Sequence, residues 1–206
     1  MLPWDCGKTL ATGPLVRKLF LLSPLLNRRE RVGTQAIGAG NGWAAAGMMR
    51  VLATIKRSRY GPAMQSQQDD LARWVDEILT GVWSYQVRCR NSGSWKRRIH
   101  LRTAGRGYPQ QSNGTLLNYV DQPDSFADSS STALLAATTL RYSLLTSDTK
   151  HDAAALQALE LVFSSIDENG WLLNTVDPEA WTTPSLNGSA EAQSFVLLLS
   201  AAWAVY

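Results

Sequence analysis

Side chains that ligate metals or serve as thiol nucleophiles are scarce in this chain. Its 206 residues include two cysteines, Cys6 and Cys89, and two histidines, His100 and His151. Two distant cysteines do not make a disulfide framework, and no metal-ligand spacing occurs, so no metal or other cofactor is expected. His151 stands beside Asp152 without a serine or cysteine nucleophile context, and reads as a surface residue. Long apolar runs are also missing, and no segment has the length needed to span a membrane. The apolar stretch at 19–26 is short and contains Pro24. It leads into Asn27-Arg-Arg-Glu-Arg31 rather than a small-residue cleavage site, so no signal peptide is recognisable.

Acidic residues are absent from 87–110, which carries seven basic ones, and scarce in 1–36, which carries six basic ones. Together these stretches account for the sequence pI near 9.0. The rest of the chain holds 7 basic and 15 acidic residues, a net −8. The body is therefore acidic, which argues against a nucleic-acid surface. The basic segment 87–110 has no aromatic interleaving beyond Trp95 and Tyr108, which argues the same way.

What the chain does have is a repeat. Residues 113–121, Asn-Gly-Thr-Leu-Leu-Asn-Tyr-Val-Asp, return at 169–177 as Asn-Gly-Trp-Leu-Leu-Asn-Thr-Val-Asp, seven of nine identical at an offset of 56. Repetition at this period marks a fold built from one supersecondary unit used several times. Between the copies, helices of two kinds alternate. Residues 41–57, 129–145 and 190–205 are small and apolar nearly all round, with Trp43, Gly47, Val51 and Ile55 as the leading stripe of the first. Residues 66–80 carry Leu71, Trp74, Val75, Ile78 and Leu79 on one face. Residues 149–166 do the same with Leu156, Leu159, Val162, Phe163 and Ile166, after Ser147 or Asp148 as N-cap. A helix apolar on all sides must be covered on all sides, whereas one apolar on a single side covers something else. The alternation predicts an inner ring of helices wrapped by an outer one: an all-α, partial (α/α)6 toroid of about three helical hairpins. The repeated segments sit in the connections that lead back to inner helices, as a turn and a short extended piece.

Spacing exposes a surplus. Asn41 to Asp128 is 87 residues and Asp128 to Glu191 is 63, an excess of 24. Residues 87–110 number 24, lack periodicity, and contain Gly93, Gly105, Gly107 and Pro109. They read as an insertion foreign to the fold, of the kind an intron left in the reading frame would produce. Residues 1–36 read as an irregular N-terminal segment, and 37–206 as the toroid domain.

Three segments carry a resemblance. Gly40-Asn-Gly-Trp43 with its following helix, Asp128-Ser-Ser-Ser-Thr-Ala-Leu-Leu-Ala, and Ser189-Ala-Glu-Ala-Gln-Ser-Phe-Val-Leu together resemble glycoside hydrolase family 105, the unsaturated rhamnogalacturonyl hydrolases, particularly fungal members. The resemblance covers about 37–86 and 111–206, the C-terminal part of the family's domain. It implies a six-hairpin glycosidase fold, extracellular in an intact relative. It also implies removal of an unsaturated uronic acid from pectin-derived oligosaccharides, by hydration of the sugar double bond with an Asp as general acid. That chemistry differs from displacement at the anomeric carbon.

The resemblance makes Asn41, Trp43, Asp128 and Ser130 candidate substrate-binding residues. Each has a second reading. Trp43 is a sugar-stacking platform or a core residue, Asn41 a contact or a helix cap, and Asp128 a contact or the N-cap of 129–145. Ser129, Ser130 and Ser131 let inner helices approach closely, and Glu191 suits a helix first turn. The family's first Trp is Ile37 here and its Arg is Ala39; that Arg would suit a bidentate grip on a uronate. No residue here matches the family's general acid, so the catalytic residue is unassigned. The alternative function is a catalytically inactive carbohydrate-binding or structural α/α protein. Part of a toroid leaves apolar inner faces exposed, so self-association through the inner helices is expected.

Overall fold

A computed structural model describes residues 37–86, 114–122 and 124–206; the expected irregular segment 1–36 and the expected insertion 87–110 lie outside the described residues. Among the described residues, five α-helices follow one another: α1 (Gly38–Arg57), α2 (Gln65–Ser84), α3 (Ser129–Thr146), α4 (Asp152–Ser164) and α5 (Ala190–Trp203), with a 3-10 turn at Gly61–Met64 joining α1 to α2. Helix α3 is the hub: it packs against α1 and α5 on either side and against α4 behind, while α2 backs α1. The chain is all-α and forms a partial α/α toroid, with α1, α3 and α5 inner and α2 and α4 outer. Among the described residues it comprises two hairpins and a fifth helix, in keeping with the expected count of about three hairpins.

Helix α3 is enclosed on nearly every side, from Ser129 through Leu140 and on to Tyr142 and Ser143. This is the burial that an all-round apolar sequence demands. Helix α2 is one-sided, burying Gln68, Val75, Ile78, Leu79, Val82 and Trp83. The Trp83 indole N–H donates to Thr139 Oγ1 at 3.0 Å, tying outer helix to hub.

Helix α1 departs from its sequence reading. Its buried stripe is Gly38, Gly42, Ala45, Met49 and Leu52, whereas Trp43 and Val51 are half exposed. The reason is close approach to α3. A Cβ on Gly38 would lie 2.8 Å from Ser131 Oγ, and one on Gly42 would lie 2.8 Å from Leu134 Cδ2. The smallest residues face the tightest contact, so the stripe of large apolar residues points elsewhere. Helix α5 also departs: Ala192, Phe195, Val196, Leu199 and Ala202 are buried, but Leu197 is 70% exposed. Its far side is uncovered by any described element. Helix α4 begins at Asp152, after His151, so neither Ser147 nor Asp148 is its N-cap. Ser147 instead ends α3 in the left-handed conformation, φ 62°, with its N–H on the Ser143 carbonyl. His151 is buried rather than superficial, and its Nε2 pairs with Asp76 Oδ1 at 2.9 Å between α2 and α4.

The repeated segments are staples. Asn118 and Asn174 occupy the same place in the two copies. The Asn118 carbonyl accepts from Gly38 N at 2.8 Å, at the start of α1, and the Asn174 carbonyl accepts from Ser129 N at 2.8 Å, at the start of α3. The equivalent Leu116 and Leu172 N–H groups donate to Thr132 Oγ1 and Gln193 Oε1, in the first turns of α3 and α5. Each copy therefore crosses from the start of one inner helix to the start of the next. Gly114 and Gly170 both have positive φ, 104° and 85°, which explains why glycine recurs there. Isolated bridges such as Leu117 with Ala127 and Val176 with Pro184 are the short extended pieces expected of these connections.

The N-cap positions Ile37, Asp128 and Ser189 stand 91 and 61 residues apart, so the surplus measured between helix starts is 30. Gln86 Nε2 donates to the carbonyls of Gly114 at 3.0 Å and Ala154 at 2.9 Å. The chain thus leaves at Gln86 and returns within reach of the same side chain. Shortening a loop whose ends already meet costs little. Replacing 88–112 by two glycines is expected to preserve the helical circular-dichroism signal and shift the thermal midpoint by only a few degrees. Loss of cooperative melting would make the segment part of the fold.

Candidate functional site

The sequence-selected residues converge on the end where the three inner helices begin. Asp128 is fully buried and caps α3: its carboxylate accepts from Ser130 N at 2.9 Å, Ser131 N at 3.2 Å and the Ser130 hydroxyl. Its own carbonyl accepts from Thr132 Oγ1 at 2.7 Å. Burial pushes the Asp128 carboxyl above its ordinary range, outweighing the serine hydrogen bonds that pull it down. Ser130 is buried with it. Of the two readings open for Asp128, the geometry is that of the cap, and the polar atoms of Asp128 and Ser130 are turned to each other rather than to a cleft.

Asn41 and Trp43 are placed differently. Asn41 is half-buried and donates its side-chain amide to the Ile37 carbonyl at 2.9 Å, leaving Oδ1 without a partner among the described residues. Helix α1 has no side-chain cap at its N-terminus. Trp43 is 50% exposed. Its indole N–H donates to Glu191 Oε1 at 3.0 Å, and its ring meets Phe195 edge-on, centroids 5.2 Å apart at 75°. The tryptophan therefore spans from α1 to α5, two inner helices that are not sequential neighbours. Its orientation is fixed by one hydrogen bond and one aromatic contact.

Three residues that the sequence reading did not select join this end. Glu191, in the first turn of α5, is the partner of Trp43. Trp181 is 65% exposed, and its carbonyl accepts from Asn118 Nδ2 at 2.7 Å, next to the start of α1. Trp171 is 44% exposed and lies under Gly188, where a Cβ would meet its ring at 2.9 Å. Three exposed indoles thus stand at the end where the inner helices begin, the same end as Glu191 and the Asn41 side-chain oxygen. The signal available beforehand was the placement of two tryptophans in polar connecting loops, where burial cannot explain them. Among the described residues, no group of His, Cys, Asp and Glu is assembled to hold a metal ion.

No protein-family model matches the chain, and no curated protein matches it. Solved structures do. One from Salmonella enterica serovar Paratyphi A, described as a possible member of glycoside hydrolase family 105, aligns at TM-score 0.62 and 16% identity over 82% of this chain and 40% of its own. A second so described, from Klebsiella pneumoniae, aligns at 0.62 and 17% identity over 86% of this chain and 42% of its own. A glycosyl hydrolase family 88 structure from Bacteroides vulgatus aligns at 0.57 and 13% identity over 82% and 43%. The chain spans about two fifths of the length of these structures. The likeness is one of fold, to six-hairpin glycosidases.

Proposed function

We propose that this chain is a sugar-binding part of a glycoside hydrolase of the unsaturated rhamnogalacturonyl type, acting on pectin-derived oligosaccharides outside the cell. The observation that carries the reading is Trp43: an exposed indole at the head of an inner helix, held in place by Glu191 of another. Aromatic faces presented in this way suit the C–H faces of pyranose rings, and the exposed Trp171 and Trp181 stand at the same end of the inner helices. The Gly38 N–H is held by the Asn118 carbonyl, but the N–H groups of Ala39 and Gly40 have no partner among the described residues and stand at the positive end of the helix dipole. That field would suit a uronate carboxylate where Ala39 replaces the family's arginine. The reaction implied by the resemblance adds water across the C4–C5 double bond of the unsaturated sugar after protonation by a carboxylic acid. Asp128, enclosed in its cap, is not placed to be that acid, and the proton donor is unassigned among the described residues.

Turnover is read from loss of double-bond absorbance on an unsaturated galacturonyl disaccharide. Loss of absorbance supports the hydrolase. Binding of the disaccharide without turnover supports the alternative, a catalytically inactive carbohydrate-binding toroid. Trp43→Ala is expected to weaken disaccharide binding by about tenfold, roughly 1.4 kcal/mol. Glu191→Gln, which keeps an oxygen acceptor for the indole, is expected to weaken it less. Binding unchanged in Trp43→Ala would remove Trp43 from the site.

A further inference from the structure

The inner helices line an open pocket of about 610 Å³ that plays no part in the site above. It begins one helical turn beyond the bridge made by Trp43 and Phe195, with Ala46 and Leu198 in its wall, and runs toward the C-terminal ends of α1 and α3. Among the described residues, its lining comes from α1, α3, α5 and Val205 just past α5, and neither outer helix contributes. Met49, Leu134 and Leu198 provide apolar wall, and Arg50, Arg57 and Arg141 provide charge. The volume falls within the range of small-molecule sites.

Three arginines meet at this pocket, Arg50 and Arg57 exposed and Arg141 half-buried. Among the described residues, no Asp or Glu lines the pocket. None of the three forms an ion pair among the described residues, although Arg73 and Lys150 each hold two. The sequence offers them no acid at three or four residues on either side, the spacing at which helical ion pairs form. Nearby Lys56 is already engaged with the Leu145 carbonyl. A helix C-terminus attracts cations, which accounts for Arg57 in the last turn of α1. That attraction fades beyond the last turn, and Arg50 lies seven residues before Arg57, while Arg141 lies five before Thr146. Two turns separate Arg50 from Arg57 on one stripe, about 10 Å along the axis.

We infer that this pocket is a binding site for a small amphipathic anion, an organic phosphate or carboxylate whose apolar body lies on Met49, Leu134 and Leu198 while its charged head meets the arginines. Guanidinium forks bind such heads bidentately, and the apolar wall gives the body a surface to lie on. The site is separate in residues and in ligand from the sugar platform at the other end of the helices, and does not depend on it.

Calorimetric titration of the full chain with 2-naphthyl phosphate tests the inference, with 2-naphthol and inorganic phosphate as the apolar and charged halves alone. The naphthyl phosphate is expected to bind at least about tenfold tighter than either half. Arg50→Gln and Arg141→Gln should each weaken it by about tenfold, with the helical signal and thermal midpoint kept, since these side chains project from helix surfaces. Arg141→Lys should recover part of the affinity. Equal binding of 2-naphthol, equal binding of inorganic phosphate, indifference to the arginine substitutions, or no binding of any probe would each overturn the site. So would a dimer that excludes naphthyl phosphate and dissociates in the arginine variants, which would assign the pocket to the acidic body of a second copy.

Discussion

Asp128→Ala is expected to lower the free energy of unfolding by about 3 kcal/mol, the largest effect of any polar substitution in the described chain. Removing an ordinary N-cap costs about 1 kcal/mol. Here the cap is fully buried and serves Ser130 N, Ser131 N and the Ser130 hydroxyl together. Alanine would strand two backbone N–H groups where no water reaches them, and each such group costs roughly 1–3 kcal/mol. Urea unfolding followed by circular dichroism measures the change as a shift of midpoint at constant slope. A loss below about 1 kcal/mol would mean that the start of α3 is open to solvent. The same residue gives a pH signature. Burial raises its folded-state pKa above the unfolded value, so the protonated acid favours the fold. Its contribution is complete below the unfolded carboxylate range and is lost as pH rises through the raised value. Asp128→Asn removes this titration. The stability gap between the parent chain and Asp128→Asn should therefore narrow as pH rises from about 4 toward neutrality. A widening gap would put the carboxyl's shift in the other direction.

Leu116→Ala and Leu172→Ala are each expected to cost about 3 kcal/mol, within the usual range for fully buried leucines. They occupy one place in the two copies of the repeat and are 0% and 1% exposed. The next leucine separates the copies: Leu117 is 8% exposed but Leu173 is 49%. Leu173→Ala should stay within about 0.5 kcal/mol, while Leu117→Ala should cost clearly more. Thermal or urea midpoints of the four variants check the pattern. Equal losses at Leu117 and Leu173 would show that the copies are not packed as described.

Much of the architecture was legible because the chain repeats itself. The recurrence of Asn-Gly-x-Leu-Leu-Asn fixed where connections lie, and the contrast between all-round and one-sided helices fixed which ring each belongs to. Faces were harder to read. In α1 a hydrophobicity pattern favours Trp43 and Val51, but the close contact with α3 is made by Gly38 and Gly42, whose lack of volume carries no hydrophobic signal. In α4 the start moved to Asp152 because Ser147 is used to end α3. At the candidate site, Asp128 was recognisable as a cap from its place before Ser-Ser-Ser. The bond from Trp43 to Glu191 was not, because 148 residues separate the partners. Such a pairing is created only when the inner helices are brought together. His151 looked superficial for the same reason: its partner, Asp76, belongs to another hairpin.

The staples also set an order of events during synthesis. The first N–H of α1, on Gly38, is satisfied by the carbonyl of Asn118, which leaves the ribosome 80 residues later. The first N–H of α3, on Ser129, waits for Asn174, 45 residues behind it. At translation rates of roughly 5–20 residues per second, α1 and α3 each spend seconds with an unfinished start, whereas α5 is capped at once by its own Ser189. The nascent chain therefore matures one hairpin in arrears, each new unit completing its predecessor rather than itself.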